Sequence, residues 1–188
     1  MRTRQFNSEV LYADEPVVKV DGDVVRSLIC GASENQRRRL RLCTHQDVDD
    51  ELHEMFIVHE RDAYVRPHQH LGGVESFHII EGEVDVVLFD ERGAIDDVIS
   101  MGEYRSGKCF YYRIADEQFH TLLIRSPILV FHETTDGPFL PEKTSFAPFA
   151  PDESDRIAVE RFIAETKRKV EQFLGDASTG KHIRSEAA

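Results

Sequence analysis

Arg66-Pro67-His68-Gln69-His70-Leu71-Gly72-Gly73-Val74-Glu75-Ser76-Phe77-His78-Ile79-Ile80-Glu81-Gly82 is the stretch on which the reading of this chain turns. On an extended backbone, residues two apart share a face, so His68 and His70 present both imidazoles to one point while Gln69 looks away. The Gly72-Gly73 turn reverses the chain, and Glu75 returns on the neighbouring strand with an oxygen ligand beside the two nitrogens. Two histidines and a carboxylate make a mixed N/O set suited to one borderline divalent metal, whether Fe, Mn, Ni, Co or Zn. Parity places His78 opposite to Glu75 and so facing outward. Tyr64 and Arg66 share the alternation of the two histidines and are expected to line the same cavity as substrate-binding residues, Arg66 by clamping a carboxylate or phosphate.

Outward from that stretch, Arg37 to Glu133 follows a period of two, with strands expected at 37–43, 52–60, 76–80, 83–90, 96–100, 108–114, 121–126 and 128–133. Turns carrying Gly72, Gly73, Gly82, Gly93, Gly102 and Gly107 separate them. So many short strands with no helix between them point to an antiparallel barrel or double-sheet jelly roll. One of Tyr111 and Tyr112 must face inward, and Tyr112 joins Tyr64 and Arg66 as a candidate substrate-binding group. His132 and Glu133 end the last strand, where a structural role is favoured over a place on the rim.

The flanks read differently. Residues 1–36 form a lead-in and a helix capped by Asp21 or Asp23, with Val24, Val25, Leu28, Ile29 and Ala32 at helical spacing. The barrel is expected over 37–133, followed at 134–151 by a connector rich in Pro and Phe that packs on the barrel wall. A helix at 152–175 starts at Asp152 or Ser154 and carries the stripe Val159, Phe162, Ile163, Thr166, Val170, Phe173 and Leu174, to be buried on the barrel or on a second subunit. A flexible polar tail is expected at 176–188.

The chain has 188 residues and a formal charge of −12, which excludes nucleic acid and an anionic membrane as main partners. Two segments, Gln46–Asp62 and Glu81–Tyr104, hold this excess of acid, leaving Arg66, Lys108 and Arg113 to make the cavity mouth locally cationic, so that a small anion remains a possible ligand. Three separated cysteines without CxxC spacing suit free thiols in a reducing compartment, and no leader or spanning segment is evident, so a cytoplasmic protein is expected. A free sheet edge and an added amphipathic helix together suggest a homodimer.

The HxH pair, with Glu75 and then Gly82 behind it, resembles the first motif of the cupin superfamily. That resemblance implies a cupin-type antiparallel β-barrel (a double-stranded β-helix, or jelly roll) and a further histidine on a later strand, for which His120 fits. The implied metal ligands are His68, His70, Glu75 and His120. The match has departures: Asp62 stands where the motif opens with Gly, and Ala115, Glu117 and Ile124 replace residues of the second motif. Arg37–His45, Ala63–His70 and Gly137–Glu153 resemble the WbuC branch of cupin-fold metalloproteins, which accompany bacterial polysaccharide (O-antigen) biosynthesis. The resemblance implies a metal-binding protein for a small polar ligand such as a sugar derivative. A metal-dependent isomerase, epimerase or dioxygenase and a metal-free structural or sensing module are the alternatives.

Overall fold

The structure is a computed structural model and describes residues 1–178; the tail expected beyond Ser178 lies outside the described residues. Its strands are β1 (Thr3–Gln5), β2 (Val10–Ala13), β3 (Arg39–Cys43), β4 (Leu52–Glu60), β5 (His68–His70), β6 (Glu75–Glu81), β7 (Glu83–Phe89), β8 (Ile95–Gly102), β9 (Tyr111–Ile114), β10 (Phe119–Ile124), β11 (Ile128–Asp136) and β12 (Thr144–Phe146). Helix α1 (Gly22–Glu34) precedes β3 and helix α2 (Arg156–Ser178) follows β12.

The strands form two sheets, ordered β1-β2-β3-β4-β11-β6-β9 and β12-β5-β10-β7-β8, antiparallel throughout except for β2 against β3. Chain neighbours β5 and β6 lie in different sheets, as do β10 and β11. This repeated crossing between facing sheets makes a cupin-type jelly roll. Gly82 takes the tight corner from β6 to β7 at φ +92, where a Cβ would lie 2.3 Å from the Ile128 carbonyl oxygen. Only glycine fits both the dihedral and the approach.

The core is layered. Met55, Ile57, Phe77, Ile79, Val84, Val86, Leu122, Ile124 and Phe131 fill the space between the sheets. Each helix closes one outer face. Leu28 and Ala32 of α1 pack on Leu40, Leu42, Val58 and Val130, and Val170, Phe162 and Ile163 of α2 pack near Val87, Phe89, Phe119 and Leu123. The middle of the α2 stripe therefore packs on its own barrel, while Leu174 near its end stays exposed. Strand β10 consequently has both faces covered and every residue buried. A side chain such as Leu28 contributes roughly 2 kcal/mol by leaving water, and the Asp21 carboxylate caps the helix by accepting from the Asp23 and Val24 N–H groups.

Several expectations are corrected. Two short strands, β1 and β2, precede α1; both are too short to carry a periodic signal. β11 runs on to Asp136 through Glu133-Thr134-Thr135, whose polarity resembles a loop but whose backbone is fully paired with β4. The connector contributes Phe149 to the packing against Phe89 and Phe119, whereas Phe139 and Phe146 stay about half exposed. Part of the connector is β12, paired with β5. Helix α2 is started by Asp155, whose carboxylate accepts the Ala158 N–H at 3.0 Å; Asp152 instead binds Ser154 and Arg66.

Candidate metal centre

Three strands bring the four expected ligands together. His68 and His70 stand on β5, and β10 lies beside it with His120 in register with His68. Glu75 comes from β6, in the facing sheet and not on a paired neighbour, because the Gly72-Gly73 turn carries the chain across the barrel. One donor atom from each of His68, His70, Glu75 and His120 lies within 4.8 Å of the others. His120 and Glu75 are 2% and 3% exposed, whereas His68 and His70 are only partly buried.

The hydrogen bonds around this group fix its chemistry. His68 Nδ1 lies 2.9 Å from the Arg66 carbonyl oxygen, and His120 Nδ1 lies 2.9 Å from that of Gln118. A carbonyl can only accept, so both Nδ1 atoms carry the hydrogen and both Nε2 atoms keep lone pairs aimed inward. His120 Nε2 is buried without a hydrogen-bond partner, although it lies 3.3 Å from Glu75 Oε1. His70 Nε2 meets Glu75 Oε2 at 3.0 Å, and the Tyr112 hydroxyl donates to Oε1 at 3.3 Å. Lone pairs and a carboxylate converging out of water are an arrangement that a cation between them would complete. The donor set therefore fits a divalent metal of the N/O-binding kind.

The three groups differ in what their surroundings do to their protonation. Burial, with His120 beside it, pushes His68 down to about 3, so its ring is neutral as a ligand must be. Burial alone would raise Glu75, but His120, His70 and His68 hold it well below the usual carboxylate range. Burial opposes the charge on His120, yet Glu75 outweighs it and raises His120.

Above the group opens a cavity of about 500 Å³ lined by residues of both sheets and of the connector. Arg66 lines it, with its guanidinium over the Phe146 ring at 4.8 Å and bonded to Asp152 at 2.8 Å. Tyr64 does not. Residues 63–67 are outside any strand, so the alternation does not extend back past Pro67; the Tyr64 hydroxyl donates to the Pro151 carbonyl, and its ring meets Phe162 of α2. Tyr112 is buried behind Glu75 and is not part of the cavity lining, while Tyr111 is exposed. His78 faces outward as expected.

The expected cationic mouth is made by other residues. Lys108 pairs with Glu83, and Arg113 is exposed away from the cavity; the basic side chains that line it are Arg37, Arg39, Arg41, Arg66 and Lys143. Glu133 is also a cavity group and no strand end. It lies on the inward side of β11, where burial beside Glu75 pushes its carboxyl up to about 7. The signal for both was the alternation of β3 and the unbroken pairing of β11, which spacing alone does not orient.

A family model described as a domain of unknown function (DUF6016) matches residues 20–101. No curated protein matches the chain. Among solved structures, protein SO0799 from Shewanella oneidensis is similar with a TM-score of 0.45 at 7% identity, over 55% of this chain and 66% of that one. Oxalate decarboxylase from Bacillus subtilis is similar with a TM-score of 0.43 at 19% identity, over 53% of this chain and 24% of that one. The Cnp3 cupin domain of Schizosaccharomyces pombe is similar with a TM-score of 0.42 at 10% identity, over 54% of this chain and 66% of that one. This chain thus spans less than two thirds of each. The cysteines Cys30, Cys43 and Cys109 are all free, and no described helix is long and apolar enough to cross a membrane.

Proposed function

We propose that the protein holds one divalent metal through His68, His70, Glu75 and His120 and uses it to bind a small polar ligand in the cavity above. The observation that carries this reading is the convergence of the inward Nε2 lone pairs and the Glu75 carboxylate, with His120 Nε2 buried and unpartnered. A bound metal would supply Lewis acidity and a coordination position for a ligand oxygen. The protein's own part is to hold the imidazole tautomers through Arg66 O and Gln118 O and to steady Glu75 through Tyr112. The resemblance to WbuC-type cupins supports a sugar derivative of polysaccharide biosynthesis as the ligand. A homodimer in the cytoplasm belongs to the same reading, and the mass in solution tests the dimer.

Elemental analysis of purified and reloaded protein tests the centre. About one equivalent of metal is expected; less than about a tenth, with the protein folded, would overturn it in favour of a metal-free structural module. A second reading, a metal-dependent isomerase or epimerase, is favoured by Glu133, a partly buried carboxyl that lines the cavity but is not one of the four clustered ligands. It predicts turnover that is lost in Glu133→Gln with metal content unchanged, whereas binding without turnover supports the first reading.

A further inference from the structure

The cavity wall formed by β3 presents three guanidinium groups, Arg37, Arg39 and Arg41. Arg39 and Arg41 alternate with Leu40 and Leu42, and because α1 covers the leucines, the arginines take the barrel side. Two of the three are already neutralised. Arg37 and Arg39 share Glu9, with Arg39 Nε 2.7 Å from its carboxylate, and Arg37 also pairs with Glu153. Arg41 is different: among the described residues it makes no ion pair and no side-chain hydrogen bond, although it is in register with the core residue Ile57. Glu133, the nearby carboxyl, stands in the adjacent row with Met55 and feels the Arg41 charge without an ion-pair contact to it.

A half-buried guanidinium with five donors and no acceptor is an incomplete arrangement. It is not the only one on this wall. His59 Nδ1 and His53 Nε2, both on β4 and both lining the same cavity, are buried without a partner, and their residues are 7% and 5% exposed. Arg66 Nε, across the cavity, is likewise unpartnered. Unused guanidinium donors outside the metal group thus face one volume large enough for a molecule of sugar size.

We propose that the cavity takes a small molecule bearing a carboxylate or phosphate group, held by Arg41, with the far end of the ligand reaching towards His68, His70, Glu75 and His120. The placing of the far end rests on the metal reading of those four residues; the anion site does not. Arg41 would meet the oxyanion with two parallel N–H···O bonds, the geometry for which a guanidinium is preorganised. His59 and His53 would recognise hydroxyl groups along the ligand through their unpartnered ring nitrogens. An overall anionic chain would thereby select an anion through one locally unpaired cation.

Calorimetric titration of the full chain, metal-stripped and zinc-loaded in parallel, with inorganic phosphate, glucuronate and glucose tests this. Binding of phosphate or glucuronate, with glucose at least about 10-fold weaker, is expected, and which anion binds tells a phosphate from a carboxylate ligand. Arg41→Met should lower anion affinity about 10-fold or more with zinc stoichiometry unchanged, and Arg41→Lys should restore part of it. Equal affinity for glucose and glucuronate, no binding of either anion, or unaltered binding in a folded Arg41→Met would overturn the proposal. Should Arg41→Met fail to fold, phenylglyoxal labelling of the wild-type chain gives the answer: the bound anion should protect Arg41, and unprotected labelling at saturating anion overturns it. Loss of zinc stoichiometry with retained Arg41-dependent anion binding would sink the metal reading alone.

Discussion

In the cavity the Nε2 lone pairs of His68 and His120 converge with His70 and the Glu75 carboxylate, while on β3 and the turn before it Arg37, Arg39 and Arg41 carry hydrogen-bond donors into the same space. In the first group Glu75 and His120 are buried, the His68 and His120 rings are fixed from behind by backbone carbonyls, and the partly buried His70 meets Glu75 itself. The second is half exposed and is held apart by Glu9 and Glu153, with Arg41 left over. Neither region makes sense as a stabilising element. Converging acceptors repel until a cation separates them, and a lone guanidinium facing a half-buried volume has given up part of its hydration without return. The difference teaches that the two regions complete opposite halves of one ligand site, a positive ion below and a negative group above.

The comparison breaks most severely at His120. Removing its ring deletes the ligand that is most buried and unpartnered, so His120→Ala should weaken metal binding by on the order of 100-fold. Metal retention after dialysis against a weak chelator measures it. Anion binding at Arg41 should survive in the metal-free variant, which would show that the two regions are separable. Retention of one equivalent by His120→Ala would remove that histidine from the centre.

A smaller effect sharpens how the first group is supported. Tyr112 touches no part of the cavity, yet its hydroxyl donates to Glu75 Oε1 at 3.3 Å, and both groups are buried. Tyr112→Phe deletes that one bond and leaves the ring packed on Phe77. Metal affinity should fall by about 10-fold, the low end for a group that orients a ligand from behind. Unchanged affinity in a chelator competition would reduce Tyr112 to a core side chain.

How much of this was legible in the sequence depends on whether local spacing or tertiary context oriented the residue. His68 and His70 were legible because two residues in one short strand share a face whatever surrounds them. Glu75 was legible as a ligand but not as a visitor from the facing sheet, since a turn does not reveal which sheet it feeds. Tyr64 was misplaced because the alternation was carried back through Pro67 into a segment that is not a strand. In Arg39-Leu40-Arg41-Leu42 the leucines look like the inward face of a barrel. They are buried, but under α1, so the polar face becomes the inward one. Glu133 was hidden for a related reason: a run of Glu, Thr, Thr and Asp has the composition of a loop, and only the pairing partners on both sides make it a central strand.

His59 separates the two regions by pH with the smallest effect. It stands on β4 in register with Arg39 and Leu129, its ring against Phe131, and its Nδ1 has no partner. Burial, reinforced by Arg39, Arg41 and Arg37, pushes its pKa down to about 3 from an ordinary 6.5. Between those values the unfolded chain binds a proton that the folded chain refuses, so stability must fall as pH falls below the ordinary value. The slope from this one ring approaches about 1.4 kcal/mol per pH unit. Replacing it by His59→Leu removes both the titration and the unpartnered nitrogen. The variant should match the wild type near neutrality and exceed it by about 1.4 kcal/mol one pH unit below the ordinary histidine value, read from urea midpoints across the acid range. Parallel pH profiles would mean that burial and the neighbouring arginines do not hold the His59 ring neutral in the folded chain.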